Sequence, residues 1–447
     1  MATTESPTLS FNTGVKGGVN TYVSNIAILA KQIQEEAWYG THWSGLSGIT
    51  QVTKDKGDLY TPYKYKISGK PIEILTQFTG KGGSDHMLMP FGRIPTISPV
   101  FGNQFVKGTG NTMSKYWLKA FVNVTRAAIL PKSGLLSEYR TRPLEFMKDA
   151  KPHLVDFWSK YLNMDVYRAF YEGIGLNLSI GTDDSGAGND EEQGLGVKKR
   201  YNPNWFRWDV SETVPLVKIG DTSKNKTAAQ MGTAYAALSG TGLDYMSFDT
   251  LTEIAAKLPY LKIPKIIKFR GNEYWKIIMH PKQIKDLKKD SDYIAAANSA
   301  FTGSETQHPS LKGLVSTCAG FAIYEDIVGI RPWDDTNDNL FGNGTATDSY
   351  ANSIIAPKMD EDNYNAIVVG NSAIGMARPA GVGFTEETDD HEAILEIATS
   401  SIHGFNRVDV CADTNMTNIF DRGNASSGIV ATGYDMENTS SMIIMTE

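Results

Sequence analysis

Residues Pro143 to Glu172 read PLEFMKDAKPHLVDFWSKYLNMDVYRAFYE. Apolar residues recur at Leu144, Met147, Leu154, Trp158, Leu162, Ala169 and Phe170, and Val155, Tyr161 and Val166 widen the stripe. This is helical spacing sustained for about eight turns. Pro143 suits a first helical position, where no backbone donor is needed. Gly173 supplies a stop. At about 1.5 Å per residue the helix is roughly 45 Å long, beyond the usual globular length. Pro152 lies inside it and is expected to kink or divide it. Such an element is either a long core helix or a spine carrying extended β-arms on both sides, and the flanking sequence favours the spine.

On the N-terminal side, residues 1–45 read as an arm. Polar, glycine-containing sequence precedes one amphipathic segment, Tyr22 to Trp38, with Ile26, Leu29, Ile33 and Ala37 on one side. A helix of about 17 residues is marginal alone, so this one is expected to dock on the body or on a neighbouring subunit. Residues 50–130 read as β. Tyr63 to Ile67 leads into Ile72 to Phe78, and the run ends in a glycine-rich tip that includes Gly80, Lys81, Gly82 and Gly83. Tyr116 to Leu130 is the return segment, rich in β-branched and aromatic residues. The apolar content between the arms is thin, and a long excursion with so small a core needs another surface to lie against.

On the C-terminal side, residues 174–245 contain an acidic glycine-rich run, Asp183 to Glu192, without the alternating carboxylates of a calcium loop. Trp205, Phe206 and Trp208 follow and are expected to be buried. From Met246 the character is α/β. Ser247 to Leu258 reads as a helix with Ser247 and Asp249 as candidate caps. Tyr274 to Met279 reads as a buried strand ended by His280-Pro281, and helices are expected over Lys282 to Lys289 and Ser291 to Phe301. Gly320 to Ile330, Ala366 to Gly370 and Glu392 to Ile402 read as further strands. The tail after Val410 is polar until the apolar Met442 to Met445.

The composition is that of an ordinary soluble protein, 41% hydrophobic and 21% charged. A chain of 447 residues exceeds what one core usually serves. A net charge of -7 argues against tight duplex binding by the whole surface. Cys318 and Cys411 support no disulfide framework, and free thiols in a reducing cytoplasm are expected. The polar N-terminus lacks the features of a signal peptide, and no apolar run approaches the length of a membrane span. No His-Glu-x-x-His pair, P-loop or Gly-x-Ser-x-Gly elbow occurs. His280 reads as a strand-ending hydrogen-bonder, and Asp334, Asp335 and Asp338 as a solvated turn. No catalytic residue, cofactor or metal site is expected.

The order of parts resembles the major capsid protein of tailed bacteriophages, the Hong Kong 97-type fold. More narrowly it resembles the coat-protein family of N-four-like podophages. The likeness rests on Lys56-Gly57-Asp58, Thr79 to Gly83, Ser133 to Glu138, Glu273 to Leu287, Tyr293 to Ala300, Gly313 to Glu325 and Gly370 to Arg378. The resemblance implies an α+β fold made of an N-terminal arm (1–45), an extended β-loop (46–132), a spine helix with peripheral domain (133–173), an insertion or inter-subunit loop (174–245), a mixed α/β axial domain (246–385) and a returning strand with C-terminal tail (386–447). It implies a virion protein, made in the host cytoplasm, that assembles into hexamers and pentamers of an icosahedral head. Packaged double-stranded DNA is then touched without specificity, scaffolding or decoration proteins are candidate partners, and no membrane is involved. Ile26, Leu29, Ile33 and Gly80 to Gly83 become candidate inter-subunit contacts. Leu144, Met147, Leu154, Trp158, Leu162 and Phe170 become the structural spine. The rival readings are an enzyme with a site in 246–385 and a minor virion component.

Overall fold

The computed structural model describes residues 36–49, 51–54, 63–66, 68–75, 86–92, 101, 115–129, 143–175, 201–219, 233–234, 244–269, 272–300, 314–326, 364–389, 394–411, 436–438 and 440–446. The strands are β1 (Ser47–Ile49), β2 (Gln51–Lys54), β3 (Tyr63–Lys66), β4 (Ile72–Leu75), β5 (His86–Gly92), β6 (Lys115–Phe121), β7 (Asn123–Ile129), β8 (Trp205–Trp208), β9 (Leu216–Lys218) and β10 (Ile267–Phe269). They continue with β11 (Asn272–Met279), β12 (Leu314–Cys318), β13 (Phe321–Glu325), β14 (Tyr364–Val369), β15 (Ile374–Asp389), β16 (Ile394–Arg407), β17 (Val410–Cys411), β18 (Met436–Glu437) and β19 (Ser441–Thr446). The helices are α1 (Pro143–Glu172), α2 (Phe248–Lys257), α3 (Pro281–Leu287) and α4 (Ser291–Ala300).

Helix α1 has the bounds that the sequence predicts, and Gly173 ends it at φ 83°, a conformation that costs a residue with Cβ. Pro152 does not divide it. The proline is exposed, so the carbonyl that loses its intrahelical donor lies on a face open to water. The expected apolar stripe holds at Leu154 and Trp158, but from Tyr161 to Glu172 every residue is buried. The C-terminal half is therefore a central helix enclosed on all sides, not an amphipathic one.

Two sheets flank this helix. The first has the order β1-β4-β15-β16-β7. The second, with eight strands, runs β12-β13-β11-β14-β19-β8-β9, with β10 on β11. Alternation along the second sheet divides its side chains between two cores. Ile278, Ala322, Tyr324, Ile367, Val369, Ile443, Met445 and Trp205 face the core that contains the spine. Ile277, Met279, Phe321, Ile323, Ala366, Val368, Met442, Ile444 and Phe206 face a second core closed by Leu251 and Ile254 of α2 and Ile284 and Leu287 of α3. A sheet covered on both faces needs apolar residues at successive positions, which is why YWKIIM, AIVV and MIIM read as continuous runs.

Several expected elements take other positions. The return segment is two strands, β6 and β7, broken at Val122. β6 pairs not with Ile72–Leu75 but with β5, from His86↔Phe121 to Gly92↔Lys115, a stretch read only as thin apolar linker. β4 instead lies parallel to β1 and β15. The stretch 174–245 contributes β8 and β9 to the eight-stranded sheet, and the end of the tail becomes β19, between β14 and β8. The end of the first predicted segment is helical at 36–40, with Ala37 and Trp38 buried against the spine core.

Candidate functional site

The spine joins the sheets through buried polar groups. Asp165 Oδ2 lies 2.9 Å from His403 Nε2, and His403 Nδ1 lies 3.1 Å from Ser401 Oγ. Serine, histidine and aspartate in hydrogen-bonding sequence are the constituents of a nucleophilic triad. Here all three are buried, and the His403 imidazole lies against the rings of Trp158, Tyr161 and Phe405. A nucleophile needs a path for its substrate, and Ser401 is only 3% exposed. The arrangement latches α1 to β16. Its tightness is visible at Gly175, where an added Cβ would meet Asp165 Oδ1 at 2.5 Å.

The C-terminus of α1 is tied down by Arg407. Its Nη1 donates to the carbonyls of Phe170 (2.9 Å) and Tyr171 (3.2 Å), which lack intrahelical partners at a helix end. A cation there also complements the helix dipole. Its Nε and Nη2 donate to Asp409 at 2.9 and 2.6 Å, a fork-to-carboxylate pair. Asp409 Oδ1 accepts in turn from Asn438 Nδ2 at 3.0 Å. Asn202 Nδ2 donates to the Phe170 carbonyl and to Ser441 Oγ, and Asn204 Nδ2 donates to the Asn438 carbonyl. One knot thus joins the spine, the end of β16, the approach to β8 and the start of β19. A second buried pair, Arg168–Glu172 at 2.6 Å, lies within the last turns of the helix.

Two more clusters have perturbed ionisation, a mark of functional sites when it occurs in a cleft. Lys276 is buried, with Nζ 4.0 Å from the Tyr324 ring centroid and 5.7 Å from that of Trp43. Burial holds its ammonium well below the ordinary lysine range, partly opposed by the Asp326 carboxylate. Asp326 accepts from Tyr167 Oη at 2.8 Å and Asn163 Nδ2 at 3.0 Å, and burial is the main cause that raises the Tyr167 phenol. His280 caps α3: its Nδ1 accepts from Lys282 N at 3.2 Å, and its ring stacks on Tyr364 at 4.6 Å. Burial, then the charge of Lys282, lowers its pKa to about 4, so the imidazole is neutral at pH 7 and able to accept. No group of three or more His, Cys, Asp or Glu side chains among the described residues is placed to hold a metal. Among these residues no helix is long and apolar enough to cross a membrane.

Of the sequence-predicted residues, Leu154, Trp158, Leu162 and Phe170 are buried in the spine core. Leu144 and Met147 lie in the first turns of α1. Ile26, Leu29, Ile33 and Gly80 to Gly83, with the acidic run 183–192 and Asp334, Asp335 and Asp338, lie outside the described residues. Sequence reasoning missed the latch and the knot. The available signal was polar residues at inward-facing strand positions, Thr399, Ser401 and His403, which alternate in register with the helix face.

The comparisons with known proteins agree with this architecture. Residues 77–423 match the family model described as phage capsid protein. No curated protein matches. The chain is similar to the capsid of Ralstonia phage GP4, at 15% identity and a TM-score of 0.51 over 85% of this chain and 87% of that one. It is also similar to the acidic stable capsid structure of Helicobacter pylori bacteriophage KHP30, at 8% identity and a TM-score of 0.50 over 91% of each chain. Both likenesses establish the fold.

Proposed function

The chain belongs to the phage capsid protein family and is a major capsid protein, and from that premise we propose how it builds a shell. Its function is assembly. Copies form hexamers and pentamers of a closed icosahedral head, in which many modest contacts repeated by symmetry give a stability that no single subunit has. The enclosed double-stranded DNA is confined rather than gripped, consistent with a net charge of -7. Scaffolding and decoration proteins are the further partners this reading allows, and synthesis occurs in the host cytoplasm. The role is structural: the one triad-like constellation described above is sealed.

The observation that carries the proposal is a contrast between hub and ribbons. The spine seam is enclosed and tied by buried polar contacts from Asp165–His403 to Arg407–Asp409, which makes it a rigid hub. Among the described residues the β5–β6 ladder is hydrogen-bonded to no third strand, and β15 and β16 are 16 and 14 residues long. Two-stranded ribbons are marginal in water by themselves. They gain stability by lying on a neighbouring subunit, as the extended loop (46–132) is read to do here. We read Ile26, Leu29 and Ile33 of the arm and Gly80 to Gly83 of the loop tip as inter-subunit contacts.

Native mass measurement and negative-stain microscopy of the purified chain test the assignment. Shells or capsomers are expected; a small soluble oligomer or an isolated ring overturns it.

A further inference from the structure

Away from the spine seam, a cleft of about 1020 Å³ opens between the β8–β9 turn, the start of α2 and the α3–α4 junction. Two features of its lining are anomalous for a surface exposed to water. The first is apolar exposure: Val210 is 49% and Tyr245 43% exposed in the cleft wall, beside Pro215. The second is charge. Asp249, Glu253, Asp286, Asp290 and Asp292 line the cleft against only Lys282 and Lys289, an excess of three carboxylates.

Some of that charge has an internal use. Asp286 pairs with Lys289 at 2.8 Å, and Asp290 accepts from the backbone N–H groups of Phe248 and Asp292. Asp249, Glu253 and Asp292 are exposed at the rim, the first two four residues apart on one helix face, where like charges repel. An incoming group of Lys and Arg side chains beside a small apolar anchor complements both features at once.

The chain contains one run of three consecutive basic residues, Lys198-Lys199-Arg200, and it follows Leu195 and Val197 directly. We propose that the cleft receives residues 195–200 of a second copy of this chain. The argument rests on charge and apolar complementarity and on the assembly reading given above. A neighbour's segment is favoured over the chain's own by the local path. Tyr201 packs beside Trp205 at the near end of β8, and its carbonyl accepts from Arg407 in the spine knot. Trp208, at the far end of β8, is the residue in the cleft wall, roughly 10 Å beyond Trp205 along the strand. The chain's own basic run therefore starts from the end of the strand away from the cleft.

The test uses full-length protein in a Cys411→Ser background, since Cys318 is buried. One population carries Thr252→Cys and another Lys199→Cys. When the two are co-assembled and oxidised, a disulfide-linked dimer is expected only from the mixture. A chain with both cysteines, diluted into excess unsubstituted protein, is expected to give few internal links. Predominant internal linkage overturns the second-copy assignment. Normal shells with no linkage overturn the cleft as the receptor while leaving the assembly reading intact. If the unsubstituted chain forms neither shells nor capsomers, that reading fails and this inference with it. As an independent arm, Glu253→Lys with Asp249→Asn is expected to lower shell yield at least tenfold without loss of fold by circular dichroism. Adding Lys198→Glu and Lys199→Glu to the same chain is expected to restore it. Unchanged yield in the acidic-site variant overturns the proposal.

Discussion

Trp158 Nε1 donates a hydrogen bond to Thr399 Oγ1 at 2.8 Å, across a sequence separation of 241 residues. The Thr399 hydroxyl donates onward to the Ala127 carbonyl at 3.3 Å. One indole therefore engages both β16 and, through it, the edge strand β7. Spine and sheet are fixed to each other by a directed contact as well as by apolar packing.

Removing that side chain separates the two contributions. Trp158→Ala is expected to cost about 3–5 kcal/mol and to yield insoluble or protease-sensitive protein. Trp158→Phe keeps most of the packing and should cost about 1 kcal/mol more than the volume change alone. A double-mutant cycle with Thr399→Val, read by chemical denaturation, measures the bond; zero coupling shows that it contributes nothing.

Arg407 is the next test. Arg407→Leu leaves Asp409 buried without its guanidinium and two helix-end carbonyls without donors. A loss of about 3–5 kcal/mol is expected. Arg407→Lys keeps the charge but not the fork, and should recover only part of the loss. Equal stability of the lysine variant and the parent by thermal unfolding rules out the geometric account.

His280 gives a pH dependence with a definite sign. Its pKa is about 4 in the folded chain against an ordinary 6.5, so the unfolded chain binds more protons between those values. The contribution is fully present above about pH 6.5 and is lost as pH falls toward 4. It is on the order of 3 kcal/mol. His280→Asn preserves a helix cap and removes the titration. Stability measured at pH 4 and pH 7 should differ less in the variant than in the parent.

Gly173→Ala tests the helix stop. At φ 83° the added Cβ should cost about 1–2 kcal/mol. A variant as stable as the parent shows that the turn relaxes without strain.

Deleting residues 80–85 addresses assembly rather than folding. The truncated chain should remain soluble and folded but form shells in low yield, as scored by sedimentation. Hydrogen exchange over residues 20–40 should likewise show protection in shells and little in free subunits. Equal strong protection in both states assigns the arm to the subunit core.

The spine was legible in the sequence because a 3.6-residue period, a leading proline and a trailing glycine act locally. Helix α2 with its Ser247 cap, and α3 behind His280-Pro281, were legible for the same reason. The buried latch was not. Asp165 and His403 are 238 residues apart, and nothing near either one specifies the other. The place of Met442 to Met445 was equally hidden, since four apolar residues state that a segment is buried but not between which strands. The β5 strand escaped notice because Met87, Leu88 and Met89 lack alternation, and its pairing depends on a partner beyond a long connection.

The position of β19 has a consequence for how the protein is made. Both β8 and β14 pair with it, and it leaves the ribosome after every other strand described. At about 5–20 residues per second, β8 waits on the order of tens of seconds for its neighbour. During translation the eight-stranded sheet is open at its middle, with the edges of β8 and β14 left unpaired on that side. Its completion is therefore timed by the last codons translated among those for the described strands. A chain stopped short of β19 therefore lacks the one strand that joins β14 to β8 in this sheet.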